Sequence, residues 1–426
     1  MACRSVQERI SLYCPVKLDN LLDLAFLLRG GEHGCVAKEL ITGSESVIVA
    51  IEFDDQEAWI AKLPWKHWKD NTAPDSVKVE TEVATMKFVS EHTDIPVPNV
   101  FHYSPNCQTS VEWPYILMSK APGVSLRSIG WSSLTFPQQC IVMRELANIL
   151  YQLSTIHFDR IGSLIISGSG YSLIRCVRRA FNTATSFSDR ELNTGPFLSS
   201  KEYYSALLSI YRATVSNPKS TSRFPFLFPM PLRRHYSTEI EFRAAERKYN
   251  DPCYLPNNYS NCHTNIHHYR WLCDELEAAL PQLVDSSRTT FILEHPDLNQ
   301  SNLFVRPDLT ISCVIDWEFA SAVPCESFCV PPHLPSRRDP LKDELQHVFE
   351  KAIENLEFRN HLSHFRFSND QLRHVTANGE HGGIFTNLLT RKVPMWAYDR
   401  LVQNEAFIEF HSIVDEFLSW RLGERW

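Results

Sequence analysis

The segment "FILEHPDLNQSNLFV" (Phe291–Val305) sets His295, Asp297 and Asn302 between two apolar runs, and "CVIDWEFA" delivers Asp316 shortly afterwards. The apolar runs read as strands. The turn "RPDLT" folds Ile311–Ile315 back beside Leu303–Val305, so Asp316 arrives at a strand end, where a side chain can face a cleft. One hairpin would then present a carboxylate, an amide and a second carboxylate close together. Hard divalent cations take oxygen ligands, and magnesium is usually held by one or two protein carboxylates plus phosphate oxygens. Asp297 would remain to accept a proton from an attacking hydroxyl, as in phosphoryl transfer. The competing reading is that each Asp or Asn only forms an Asx turn or a helix cap. Three such groups, a histidine at the loop start and apolar flanks on both sides weigh against it.

Elements that could position these groups are visible upstream. "VIVAIEFDDQEAWIAK" (Val47–Lys62) gives two β-favouring runs around an acidic turn. In "PDSVKVETEVATMKFVSEH", Val79, Val83 and Met86 recur at helical spacing, with Pro74 and Asp75 able to start the helix. "IPVPNV" turns into a strand, and "WPYILMSKAPG" is a strand stopped by a Pro-Gly breaker. Beyond Gly123 the pattern becomes long helices, such as "PQQCIVMRELANILYQLSTIHF" with Ile141, Leu146, Leu150 and Leu153 on one side. Polar or irregular stretches at 168–193 and 217–234 read as insertions or a lid, and residues 339–426 read as helical. No internal repeat is found.

The 426 residues, 43% hydrophobic and 22% charged, suit a large two-lobed globular unit. A formal charge of −8 without any lysine or arginine block argues against nucleic acid or a membrane surface as partner. Twelve scattered cysteines with no regular framework point to a reducing compartment. The run "LLDLAFLL" contains Asp23 and has neither the basic flank nor the cleavage site of a signal peptide, so the expectation is cytoplasmic. "CHTNIHHYRWLC" groups Cys262, His263, His267, His268 and Cys273, a set that tempts a zinc reading. Its spacing fits no usual zinc module, and a helix start with surface histidines is preferred.

The motif that runs from His295 through Asp297 and Leu298 to Asn302, followed by Ile315, Asp316, Trp317 and Glu318, closely resembles the catalytic and metal segments of the aminoglycoside phosphotransferase and choline kinase-like superfamily, and most of all its fungal members. The resemblance implies an α+β, protein-kinase-like two-lobed fold: an N-terminal antiparallel β-sheet lobe with one helix, and a larger, mainly helical C-terminal lobe. It divides the chain into an N-terminal helical extension (1–39), a nucleotide-binding lobe (40–118) and a C-terminal lobe (119–426). It implies Asp297 as catalytic base, Asn302 and Asp316 as magnesium ligands and His295 as a brace for the loop. The chain departs from the pattern at Pro296, where bacterial members often have glycine; proline stiffens the loop and leaves the functional side chains in place.

A kinase reading demands a strand lysine reaching the nucleotide phosphates and a helix glutamate holding it. Lys62 ends "AWIAK", and Glu82 follows at the required spacing on the Val79, Val83, Met86 helix; Glu80 faces elsewhere. For the phosphate-covering turn, "RGGEHGC" has more glycine, but Gly43, Ser44 and Ser46 lead straight into the hairpin ending at Lys62. An ordinary turn would look the same, and the family's Gly-Ser pattern favours the second segment. The resemblance also places Met118 at the back of the adenine pocket, the Ser119 carbonyl and Ala121 N–H on the purine edge, and Gly123 as a hinge. "FDRIGSL" and "GPFLSSKEYY" match fungal members too, so the resemblance runs from about Leu40 to Pro335.

The resulting expectation is a small-molecule kinase that uses ATP and magnesium on a hydroxyl-bearing acceptor, as a monomer or homodimer. Protein-kinase activity is disfavoured: no lysine stands two residues after Asp297, and no "APE"-type segment follows Asp316. The rival is a catalytically silent binding or scaffold protein on the same fold. The acceptor is not identified, although its contacts should come from 168–270 and the last helices.

Overall fold

The computed structural model describes residues 13–65 except Ser44, 76–178, 192–216 and 289–324, together with a few isolated positions. The first element is a helix, α1 (Leu18–Leu28), followed by three antiparallel strands, β1 (Cys35–Thr42), β2 (Ser46–Phe53) and β3 (Ala58–Pro64). Helix α2 (Ser76–His92) leads to β4 (Val100–Ser104) and β5 (Tyr115–Ser119), which complete a five-stranded sheet of order β1-β2-β3-β5-β4.

Alternation along these strands divides the lobe. Val47, Val49, Ile51 and Phe53 of β2, Trp59, Ala61 and Leu63 of β3, and Tyr115 and Leu117 of β5 pack with Leu18, Leu21 and Ala25 of α1. The three helix positions fall on one face at helical spacing, and the strand positions share one face by the period of two. The opposite face takes the alternate residues: Ile60 pairs with Met118, and Lys62 with Ile116. There α2 packs with Val79, Val83 and Met86, in a core shared with Ile116 and Met118. Lys62 is thus a buried charge set among the apolar side chains that meet α2. In the stretch before Cys35, α1 closes the back of the sheet, and the Arg29 guanidinium clamps Asp55 in the β2–β3 turn at 2.6 and 2.7 Å.

The core under α2 continues into the second lobe without a break. It takes in Leu146, Leu150 and Leu153 of α4 (Phe136–Thr155), Ile292 and Leu293 of β10 (Phe291–Glu294), Leu303 and Val305 of β11 (Leu303–Val305) and Val314 of β12 (Ile311–Val314). Helix α4 starts in a capping box, with Gln138 Oε1 accepting from Thr135 N at 2.9 Å, and has proline in its first turn. Between the lobes lie the short β6 (Val124–Ser125) and α3 (Leu126–Ile129).

The second lobe is less helical in its described part than the periodicity suggests. Beyond α4 come β7 (His157–Phe158), the hairpin of β8 (Ser163–Ser167) and β9 (Gly170–Ile174), helix α5 (Ser200–Ser216), and finally β13 (Ser321–Val323) beside β10. The stretch from Gly168, expected to be irregular, therefore begins inside a hairpin whose polar tip hid it. That hairpin braces α2: Tyr171 donates to Glu91 at 2.8 Å and meets Phe88 edge-on at 5.0 Å. The stretch at 217–234, the Cys262–Cys273 cluster and the helical region after 339 lie outside the described residues, bar a few isolated positions.

Gly123, expected as a hinge, is a position only glycine can occupy. It adopts φ +86°, and a Cβ there would stand 2.3 Å from the Val305 carbonyl oxygen, while Ser312 Oγ donates to the Pro122 carbonyl. Only glycine tolerates both the left-handed backbone and that approach. The connection is seated against β11 rather than left loose.

Candidate active site

Lys62 leaves β3 on the face covered by α2, and its ammonium donates to both Glu82 oxygens at 2.8 and 2.9 Å and to Asp316 Oδ1 at 2.7 Å. Glu318 Oε2 lies 3.4 Å away. Three carboxylates surround one ammonium, with Lys62 5% and Glu82 4% exposed. Burial opposes the charged lysine, but Asp316, Glu82 and Glu318 outweigh it and hold the ammonium well above the usual lysine value. Burial, opposed by Lys62 and helped by Glu318 and Asp316, raises the Glu82 carboxyl to about 7. The surrounding carboxylates thus keep Lys62 charged against its burial, whereas burial dominates at Glu82 and favours its protonated form.

The second group is built by the loop between β10 and β11. Buried His295 accepts at Nδ1 from the Asp297 backbone N–H at 3.2 Å and donates from Nε2 to the Ile315 carbonyl at 3.0 Å. These bonds assign the neutral tautomer protonated at Nε2, consistent with burial pushing the imidazole's pKa down. His295 thereby ties the loop to the residue before Asp316, and its ring meets Trp317 edge-on at 4.6 Å. Asn302 donates its amide to the Asp297 carbonyl at 2.8 Å and to Asp297 Oδ2 at 3.2 Å, while Asn299 donates to Oδ1 at 2.7 Å. Two amides therefore fix the Asp297 carboxylate. With its nitrogen committed, the oxygen is what Asn302 can offer a cation.

Asp316 is set beside this loop by the β11–β12 ladder, which pairs Leu303 with Val314 and continues as Ile315 N–H to the Asn302 carbonyl at 3.0 Å. Asp316 and Phe319 both stand at positive φ, 65° and 68°. Aspartate tolerates the left-handed region; a phenylalanine there is an outlier held by its surroundings.

The other expected residues are spread around this centre. Gly43 and Ser46 close the β1–β2 turn, Gly43 N–H donating to the Ser46 carbonyl at 2.8 Å; Ser44 lies outside the described residues. Met118 is on the Lys62 face of the sheet, opposite Ile60. Ser119 is tied to Asn99 by its own N–H at 2.8 Å and by its hydroxyl, which accepts at 2.9 Å. Ala121 follows in the connection toward Gly123. The structure thus gathers Lys62, Glu82 and Asp316 in one network and His295, Asp297 and Asn302 in another, joined through Ile315. Gly43 and Ser46 lie at the β1–β2 turn, Met118 and Ser119 on β5, and Ala121 just beyond its end.

Several participants escaped the sequence reading. Glu318 was visible in the motif but had no role, and Asn299 stood inside the loop as an unremarked polar residue. Lys78 reaches Glu318 Oε1 at 3.6 Å and Glu45 Oε2 at 3.5 Å. Arg178 makes a buried ion pair with Glu294, the residue before His295. Only the helical offset of Lys78 from Glu82 signalled any of these in advance. Among the described residues, the group of three or more His, Cys, Asp or Glu side chains close enough to share an ion is His33, Asp54 and Asp55, of which Asp55 is already bonded by Arg29. No described helix is long and apolar enough to cross a membrane.

The model of one family, described as the phosphotransferase enzyme family, matches residues 40–324. A subtelomeric hrmA-associated cluster protein of Aspergillus fumigatus is 28% identical over 332 residues, 73% of this chain and 59% of the relative. Altered inheritance of mitochondria protein 9 of Kluyveromyces lactis is 21% identical over 314 residues, 66% of this chain and 47% of the relative. The chain therefore spans about half the length of these relatives. Similar solved structures include macrolide 2'-phosphotransferase type I, 11% identical with 96% of this chain and 97% of that one covered, at a TM-score of 0.42. A putative fructosamine-3-kinase from Thermobifida fusca is 13% identical over 80% of this chain and 84% of its own, at a TM-score of 0.44.

Proposed function

We propose that this chain, which belongs to the phosphotransferase enzyme family, transfers the γ-phosphoryl group of ATP to a hydroxyl of a small-molecule acceptor. The observation that supports this most is the union of the Lys62–Glu82–Asp316 network with the amide-clamped Asp297. One group grips phosphate and cation, and the other presents a base, with His295 and the β11–β12 ladder fixing their relation.

Both ligands fit the donors present. Lys62 is a cation that Glu82 would keep aligned when phosphate oxygens replace Asp316 as its partner. Asp316 and the Asn302 amide oxygen are hard oxygen donors beside a surplus of negative charge, the chemistry that suits magnesium. When bound, magnesium would neutralise charge on the β and γ phosphate oxygens. Gly43 to Ser46 would cover the phosphates, and Met118, Ser119 and Ala121 would receive the base.

Asp297 would accept the hydroxyl proton as the acceptor oxygen bonds to the γ phosphorus and the bond to the β–γ bridging oxygen breaks, releasing ADP. Asn302 and Asn299 donate to this carboxylate and aim it. His295, neutral and buried, fixes the loop and takes no proton. A catalytically silent, nucleotide-binding member is the second reading. It draws on the 2.7 Å Lys62–Asp316 contact, which engages with each other two groups that nucleotide and metal would claim.

Asp297→Asn separates them. Screening metabolite extracts with labelled ATP should yield a phosphorylated product for the native chain. The variant should bind magnesium-ATP normally while forming product at least about 100-fold more slowly. Native protein that binds nucleotide yet phosphorylates nothing would favour the silent reading.

A further inference from the structure

Lys78 joins three segments that converge on the cleft but are distant in sequence. It stands one helical turn before Glu82 on α2, within 3.6 Å of Glu318 Oε1 and 3.5 Å of Glu45 Oε2. Its ammonium also lies 4.9 Å from the centre of the Phe319 ring. Glu318 is shared between two lysines, because its other oxygen faces Lys62. Glu45 sits in the turn closed by Gly43 and Ser46, and its backbone carbonyl accepts from Trp65 at the end of the β2–β3 hairpin at 2.9 Å. Phe319 is the bulky residue at φ +68°, a backbone state that needs external support. A cation over its ring and beside Glu318 supplies that support from α2.

From this convergence we infer that Lys78 is a positioning residue for the nucleotide. It latches the Gly43–Ser46 turn, through Glu45, onto the Asp316–Phe319 turn, through Glu318, and so sets the distance between phosphate cover and metal ligand. The inference rests on the reading of the cleft as an ATP site. Lys78 touches no reacting atom in this scheme; its effect falls on nucleotide affinity, not on the proton transfer at Asp297. A surface lysine of purely structural value would shift stability and leave affinity alone. Loss of a latch must also weaken nucleotide binding, because the latch sets the spacing of the turn and the loop that meet the nucleotide.

The test is calorimetric titration of magnesium-ATP into the full chain and into Lys78→Met, Lys78→Arg, Glu45→Ala and the Lys78→Met/Glu45→Ala double variant, with thermal unfolding alongside. Lys78→Met and Glu45→Ala should each weaken binding about fivefold to tenfold, the double variant no more than the worse single, and Lys78→Arg less than about twofold. Glu45→Ala lies in a turn and keeps the test open should Lys78→Met fold poorly. Native-like affinity in Glu45→Ala or in folded Lys78→Met would overturn the latch while leaving the ATP site intact. So would strictly additive losses in the double variant. A native chain that binds no magnesium-ATP would instead remove the reading beneath it.

Discussion

Replacing Lys62 by methionine keeps the length of the side chain and deletes its ammonium, so it isolates the buried charge network. The lysine serves Glu82 at 2.8 and 2.9 Å and Asp316 at 2.7 Å; without it Glu82, 4% exposed, is a buried carboxylate facing two others. Removing one partner of such a pair costs about 3–5 kcal/mol. The cost depends on pH with a sign the structure fixes. Glu82 already sits near 7 when folded, above the unfolded value of about 4.3. Protonation therefore favours the folded state: that stabilisation is complete below about pH 4 and is lost as pH rises through 7, about 4 kcal/mol across the window. Without Lys62 the Glu82 pKa rises further and the loss extends above pH 7. Urea midpoints followed by circular dichroism should show a penalty near the top of the range at pH 8.5. At pH 5.5, where Glu82 is buried as a neutral acid, it should shrink to about 1 kcal/mol. A penalty equal at both pH values would refute the assignment of Glu82 as the proton-binding partner.

Asp316→Asn should weaken ATP binding by at least about tenfold with magnesium present and far less without it, in titrations run both ways. Gly123→Ala should lower stability by about 2–4 kcal/mol, since it adds left-handed strain to a clash with the Val305 carbonyl; chemical denaturation measures it. Arg178→Met should cost about 3–5 kcal/mol by stranding Glu294 in the core beside His295, and a denaturation midpoint within error of native would sink that view. His295→Gln should show its largest stability penalty above pH 7, shrinking on acidification. The folded His295 pKa lies below its unfolded value, so the native contribution is complete above about 6.5 and falls away as pH drops.

What could be read in advance was whatever a short window contains. The loop from His295 to Asn302 is closed by bonds between neighbours, Asp297 N–H to His295 and Asn302 to Asp297, so its residue types betray its geometry. Lys62 and Glu82 lie further apart, but a hairpin and one helix leave few ways to join them, and alternation along β3 puts Lys62 on the α2 face. Edge strand β1 escaped because exposure erased its pattern: Lys38 and Glu39 stand in it, and only Leu40 is buried. The packing of Gly123 on Val305 escaped because a Pro-Gly pair says only that the chain turns, not what stands beside it. The Glu45–Lys78–Glu318 bridge was the least accessible, since each member alone resembles a solvated surface charge. Its meaning comes from β11 and β12 returning to α2 from far along the chain. That division follows from the physics of the site. Groups that do chemistry on one substrate atom sit on one loop and leave a local signature, whereas those that set spacing between lobes act across the cleft, where only the tertiary fold brings them together.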